Sequence, residues 1–222
     1  MKISQSLHLE LEFLGKEIIK QKLAAGPGGN ISVIDEDVIW ISPSGFNLDE
    51  VKISDWVPID KNTGNILNDH LRPSSEIEMH RLMYLKDNSI KFIVHTHPIF
   101  TLAILSSGYK QIPFLFPDHV AIAGNMPLVK YVKPCSVELA NEVVKNQIVG
   151  GSGLLLENHG LITVGSTSKE ALTRTSIVEA AAEVFVHAKS IGIPKILTEQ
   201  EIADILNLDA EKYRQELLKR GD

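Results

Sequence analysis

The sequence predicts an α/β fold in which a mixed or largely antiparallel sheet lies between helical layers, and three observations predict it. Strand-like and helix-like periodicities are interleaved along the chain. Several strand segments are joined by turns too tight for the crossover that a parallel pair requires. One composition regime runs throughout: the 222 residues are 44% hydrophobic and 23% charged, with no repeat or long linker. That predicts a single domain over residues 1–222, large enough for a substantial core.

Taken in order, Leu7, Leu11, Leu14 and Ile18 recur at helical spacing with Glu10, Lys16, Glu17 and Lys20 between them, which predicts an amphipathic first helix. It stops at Ala25-Gly26-Pro27-Gly28-Gly29. Short strands are expected at Ile31–Ile34 and Val38–Ile41, followed by a turn at Ser42-Pro43-Ser44-Gly45. Trp56–Ile59 and Ile66-Leu67 flank Asn62-Thr63-Gly64-Asn65 as a hairpin. Ser74-Ser75-Glu76 opens a helix to about Lys86, with Ile77, Met79, His80 and Tyr84 facing inward. Lys91–Val94 reads as a buried strand that Pro98 ends, and Pro98 can also start a helix. Val137–Val149 and Lys169–Ile191 read as two further helices, the second with Thr167 and Glu170 in capping-box spacing and Gly192-Ile193-Pro194 as its stop. Leu197–Leu218 is a charged helical tail broken near Asn207-Leu208-Asp209, with Asp209 as the expected cap of the last helix.

A formal net charge of −6 with no basic stripe argues against nucleic acid as a partner. An anionic substrate must then be held locally, by backbone N–H groups and a few side chains. The single cysteine, Cys135, allows no internal disulfide and suits a reducing compartment. Glu10 and Glu12 fall where a signal peptide needs its apolar stretch, and no apolar run approaches membrane-spanning length. A soluble cytoplasmic protein with no membrane partner is the expectation.

The chemistry is concentrated in a few motifs. In Ile93-Val94-His95-Thr96-His97-Pro98 the two histidines stand at i and i+2 of a strand, so both imidazoles can face one ion. His159 ends the apolar run Leu154-Leu155-Leu156 and precedes Gly160, as a third ligand at a strand end would. Three imidazoles with an open fourth position suit catalytic Zn²⁺ or a similar divalent transition metal, and one cysteine excludes a closed thiolate site. Three turns offer N–H groups or hydroxyls to an anion: Gly28-Gly29-Asn30 with Ser32, Ser44-Gly45, and Ser74-Ser75 at a helix N-terminus. None is a nucleotide-binding motif, and each is also ordinary turn chemistry. Glu76 reads either as a first-turn acid complementing the helix dipole or as a general base beside a metal. His80, at i+4 from Glu76, is placed to orient it.

Gly28-Gly29-Asn30-x-Ser32, Ser42-Pro43-Ser44-Gly45, Pro73-Ser74-Ser75-Glu76, His95-x-His97-Pro98 and Asn158-His159-Gly160 together resemble, in order and spacing, the class II aldolase/adducin family. That family includes L-fuculose-1-phosphate aldolase, and the resemblance extends over nearly the whole chain. It implies a three-layer α/β/α sandwich around a mixed, mostly antiparallel sheet, assembled as a homotetramer with sites between subunits. It also implies that His95, His97 and His159 hold Zn²⁺ and that Glu76 is the acid/base. Asn30, Ser44, Gly45, Ser74 and Ser75 would hold the phosphate of a sugar substrate, with Gly29 supplying backbone approach. A glutamate at position 76, where the family's epimerases carry aspartate, favours carbon–carbon cleavage. The implied reaction takes a ketose phosphate to dihydroxyacetone phosphate and a short aldehyde through a metal-stabilised enediolate.

Two departures stand out. Pro27 replaces a threonine of the fuculose enzyme at the first phosphate turn. In Phe114-Leu115-Phe116-Pro117-Asp118-His119 there is no tyrosine to protonate the aldehyde, which leaves Asp118, His119, Tyr131 or Tyr213 for that role. The rival readings are a sugar-phosphate dehydratase, decarboxylase or 4-epimerase and, in a different class, a non-catalytic binding module like the head of adducin.

Overall fold

Seven strands form one sheet in the computed structural model, which describes residues 1–68 and 70–221. They are β1 (Asn30–Asp35), β2 (Val38–Ile41), β3 (Val57–Asp60), β4 (Phe92–Thr96), β5 (Leu128–Val129), β6 (Gly153–Leu156) and β7 (Gly160–Gly165). The helices are α1 (Gln5–Lys20), α2 (Ile77–Lys86), α3 (Ile99–Ser106), α4 (Val137–Asn146), α5 (Ser168–Ile191), α6 (Glu199–Asn207) and α7 (Asp209–Arg220). The sheet order is β3-β2-β1-β4-β7-β6-β5, and only the β5–β6 pair is parallel. The mixed, mostly antiparallel sheet expected from the tight turns is therefore present.

Strand alternation decides what each face carries. Phe92 and Val94 of β4 pack with Leu7, Leu11, Leu14 and Ile18 of α1, while Ile93 between them packs with Met79 and Met83 of α2 and Leu139 and Val143 of α4. Farther along the first face, Ile104 and Leu105 of α3 and Val178, Ala182 and Phe185 of α5 cover Leu155 and Leu161. Helices thus lie on both faces, in three layers. His95 shares the parity of Ile93, so it points to the α2 side of the sheet.

The structure also departs from the sequence reading in detail. The second arm of the expected hairpin shrinks to one bridge, Ile59 to Ile66. Helix α4 ends at Asn146 with Gln147 as its cap, leaving Ile148 and Val149 exposed. Thr167 accepts from the Glu170 N–H, but the Glu170 carboxylate reaches the Ser166 N–H at 2.7 Å and leaves the box half-closed. The complete capping box is at Thr198 and Glu201, at the start of α6. Asp209 is the first residue of α7, and Leu208 occupies the cap position. Strand β7 and a π-helical turn at His119–Ala123 are elements that periodicity did not announce. Among the described residues no helix is long and apolar enough to cross a membrane.

Candidate active site

Two separate chain segments bring the histidines together. His95 is the fourth residue of β4, and its Nδ1 lies 3.0 Å from the carbonyl of Leu161 on the neighbouring β7. A carbonyl only accepts, so Nδ1 carries a proton, and Nε2 is the nitrogen that a metal would take. His97 lies just beyond the end of β4 and is held by its backbone N–H to the Leu23 carbonyl, 3.2 Å away. Pro98 then precedes α3, whose first N–H groups are capped from another helix: the Glu179 carboxylate on α5 accepts from Phe100 N at 2.8 Å and from Thr101 N and Oγ1 at 2.9 and 2.8 Å. His159 sits in the turn between β6 and β7, where Asn158 adopts φ 52°, a left-handed conformation that asparagine tolerates.

Two glycines explain how these imidazoles can be so close. A β-carbon on Gly160 would overlap the Thr96 carbonyl and come within 2.8 Å of the His97 ring. Gly29 has φ +80°, and a β-carbon there would stand 2.7 Å from the His95 carbonyl. Gly29 therefore lets the first loop lie against β4, a close approach to protein and a different one from the approach to phosphate that the resemblance implies.

The ligand nitrogens of His95, His97 and His159 lie within 4.8 Å of one another, and His95 Nε2 and His97 Nε2 are 3.0 Å apart. Glu76 faces the same point. Its Oε2 is 3.1 Å from His95 Nε2, and its Oε1 is 3.2 Å from His159 Nε2. The Glu76 side chain makes no cap bond although it occupies the N-cap position of α2, so the dipole-complementing role is not the one that the structure gives it. Burial raises the Glu76 pKa, but the His95 charge and the hydrogen bonds from His159 and His95 outweigh it and hold the carboxyl far below the usual carboxylate range. Burial, with the neighbouring His95 and His159 charges, pushes His97 down to about 4 against the opposing pull of Glu76, so its imidazole is neutral at pH 7. Three facing imidazoles beside a carboxylate are the donor set of a divalent transition metal, and the described residues fit one.

Glu76, His97 and His159 open onto a cleft of about 310 Å³ that is also lined by Gly28, Gly29, Asn30, Ser44, Gly45, Ser74 and Ser75, among others, while His95 is wholly buried. All six residues predicted to hold phosphate are there, with different duties. Ser44 and Ser75 are exposed to the cleft. Ser74 Oγ accepts from the Glu76 N–H at 3.3 Å. The Asn30 side chain is committed elsewhere: its Nδ2 donates to Glu76 Oε2 at 3.0 Å, and its Oδ1 meets His80 Nε2 at 2.6 Å. Ser32 is wholly buried and bonded to His80 and Tyr84, away from the cleft. His80 thus reaches Glu76 through Asn30. Pro27, Pro43, Pro134 and Cys135 also line the cleft. The Cys135 Sγ is 3.4 Å from Ser75 Oγ, and nothing in the sequence around Pro134-Cys135 announced that position.

Asp118 and His119 are not brought to this cleft. Asp118 Oδ1 accepts from Arg214 of α7 at 3.0 Å. His119 is buried against Phe114 and Phe116, ring centroids 4.7 and 6.3 Å away, and burial pushes it down to about 4 despite a bond to the Pro113 backbone. Tyr131 and Tyr213 are exposed and also lie outside the cleft.

Residues 10–186 match the family model described as the class II aldolase and adducin N-terminal domain. The chain belongs to that family. As a class II aldolase-type chain with its histidine trio intact, it is an enzyme of the aldehyde-lyase kind. It is 33% identical over 201 residues to a 5-deoxy-D-ribulose 1-phosphate aldolase of Bacillus thuringiensis, covering 88% of this chain and 92% of that protein. It is 32% identical over 164 residues to an L-fuculose phosphate aldolase of Methanococcus maripaludis, covering 74% and 87%. A 3-oxo-tetronate 4-phosphate decarboxylase of Haemophilus influenzae is 30% identical over 200 residues, covering 87% and 93%. Among solved structures, an L-fuculose 1-phosphate aldolase superposes with a TM-score of 0.85 at 28% identity, over 96% of this chain and 98% of that one.

Proposed function

We propose that this class II aldolase cleaves a ketose 1-phosphate reversibly to dihydroxyacetone phosphate and a short aldehyde, with Zn²⁺ as its metal. The observation that carries the reading is one cleft lined by Glu76, by His97 and His159 of the histidine trio, and by the Ser44-Gly45 and Ser74-Ser75 turns. Aldolases of two phosphorylated ketoses among the relatives support the substrate class.

His95, His97 and His159 would hold the ion, each ring fixed by its place beside β4 or β7. Bound there, the ion supplies Lewis-acid stabilisation of the negative charge that develops on substrate oxygens as the carbon–carbon bond breaks. Ser44, Gly45 and Ser75 offer hydroxyl and N–H donors to the phosphate, which places the substrate carbons along the cleft toward Glu76. The Glu76 carboxylate moves the proton at the substrate carbon beside the carbonyl, a step worth about 10²–10⁴-fold in rate. A homotetramer in the cytoplasm completes the reading, supported by apolar residues left exposed on the protomer, such as Ile191, Ile193 and Ile196.

Incubation with L-fuculose 1-phosphate, 5-deoxy-D-ribulose 1-phosphate and related ketose 1-phosphates, coupled to detection of dihydroxyacetone phosphate, tests the reaction. Metal analysis of untagged protein should find about one divalent ion per protomer, lost in His97→Ala. Active metal-free protein would refute the metal. The decarboxylase relative favours one second reading, carbon dioxide release from a 3-oxo acid phosphate. Gas evolution from such a substrate, with no dihydroxyacetone phosphate from any ketose 1-phosphate, would replace the first.

A further inference from the structure

A string of buried polar groups runs from the Glu76 carboxylate into the space between α2 and β1. On α2 the residues are Glu76, His80 and Tyr84, spaced i, i+4 and i+8; on β1 they are Asn30 and Ser32, spaced i and i+2. Four residues of helix advance about 6 Å and two residues of strand about 6.6 Å, so the two sets stay in step. The links are Glu76 Oε2 to Asn30 Nδ2 at 3.0 Å, Asn30 Oδ1 to His80 Nε2 at 2.6 Å, His80 Nδ1 to Ser32 Oγ at 2.7 Å, and Ser32 Oγ to Tyr84 Oη at 2.8 Å. Ser32 and His80 are wholly buried, and Tyr84 nearly so.

The chemistry of the groups fixes the direction of the bonds from Glu76 as far as Ser32. A carboxylate only accepts, so Asn30 turns its amide nitrogen to Glu76 and its carbonyl oxygen to His80. His80 must then carry its proton on Nε2, which leaves Nδ1 to accept from the Ser32 hydroxyl, while the Tyr84 hydroxyl faces both Ser32 Oγ at 2.8 Å and the Lys91 carbonyl at 3.3 Å. Burial, with the nearby His95 charge, pushes His80 down to about 3 against the opposing pull of Glu76, consistent with a neutral ring. An Asn30 amide turned the other way would set its oxygen against the Glu76 carboxylate and its NH₂ against the His80 N–H.

We propose that His80 is a positioning residue for the general base: held as the Nε2–H tautomer by Ser32, it locks the Asn30 amide so that an N–H points at Glu76. The inference rests on reading Glu76 as the acid/base. His80 does not line the cleft and is not one of the three candidate ligands, so its influence falls on the orientation of Glu76, leaving metal and phosphate binding in place.

The test pairs two substitutions of similar bulk. Glutamine at 80 can present an N–H near the position of Nε2, whereas asparagine reaches only about as far as Nδ1. With metal content and melting temperature measured alongside, His80→Asn should lower kcat by about 10- to 100-fold with little change in KM. His80→Gln should recover most of the loss. Equal kcat for the two variants, or wild-type kcat in His80→Asn, overturns the proposal. Within a Glu76→Gln background, His80→Asn should have little further effect; a full second loss would show that His80 acts independently of Glu76 and also overturns it. Glu76→Gln with wild-type kcat would instead remove the general-base reading itself. A second readout needs no turnover: ¹⁵N-histidine NMR, assigned with His80→Gln, should show His80 neutral and protonated at Nε2, and an Nδ1–H tautomer overturns the proposal.

Discussion

Gly160 and His97 meet backbone to ring: a β-carbon at position 160 would stand 2.8 Å from the His97 Cδ2 and would also overlap the Thr96 carbonyl. The glycine after His159 is therefore a condition for the three imidazoles to share one point. Gly160→Ala should destabilise the fold by about 1–3 kcal/mol through overpacking. It should also lower metal content, because any relief moves β7 away from β4. Thermal melts and metal analysis check this, and an alanine variant with wild-type metal content and stability would contradict it.

The Glu179 carboxylate caps α3 from α5 with three accepted hydrogen bonds, two residues beyond Pro98. It supplies from a distance what a local Ser, Thr or Asp gives other helices, and it anchors the chain just after His97. Glu179→Ala should cost about 1–2 kcal/mol and weaken metal retention under a chelator. Glu179→Gln, which accepts through one oxygen only, should fall between. Unchanged chelator sensitivity in the alanine variant would separate α3 from the metal centre.

Ser44 and Ser75 face the cleft, Ser75 accepting only from the Cys135 thiol, whereas the Ser74 Oγ is buried and accepts from the Glu76 N–H. Groups that bind phosphate equally in ground and transition states affect KM and leave kcat alone. Ser44→Ala and Ser75→Ala should each raise KM for the phosphorylated ketose by about 5- to 10-fold, in keeping with about 1–1.5 kcal/mol for one hydrogen bond. Ser74→Ala should lower kcat as well, since it frees the backbone beside Glu76. Steady-state kinetics on the three variants tests this, and a kcat loss confined to Ser44→Ala would reverse the assignment.

Much of this site was legible because it obeys local rules. The i, i+2 spacing of His95 and His97 predicts that both rings face one point, as they do, although only His95 lies within β4 and His97 depends on the turn into Pro98. Gly29 was legible as a place for close approach, but its partner, the His95 carbonyl, was not. The family resemblance implies Asn30 as a phosphate ligand. Its actual bonds, to Glu76 and His80, join residues 46 and 50 positions away and depend on how α2 sits on β1. Local patterns carry no information on that placement. Strand β7 hid in an apolar run with no polar alternation, because both of its faces are buried. Asp118 and His119 were candidates by chain position beside a missing tyrosine, whereas the π-helical turn ties one to Arg214 and buries the other.

That burial gives His119 a signature in acid. Its pKa is pushed down to about 4, from an ordinary value of about 6.5 in the unfolded chain. Between these values the unfolded state binds a proton that the native state refuses, so stability from this group is fully present above about pH 6.5 and falls as the pH drops toward about 4. Across that window the loss amounts to roughly 3 kcal/mol. His119→Phe keeps an aromatic ring against Phe114 and Phe116 and removes the titration. Its urea-unfolding free energy should fall less steeply with acid than that of the wild type, by about that amount between neutral pH and the low end of the window. His80 and His97 contribute the same slope to both proteins, so the difference between the two curves isolates His119. Parallel curves would mean that His119 can take up a proton in the folded state, through a polar partner or an opening that the packed ring does not display.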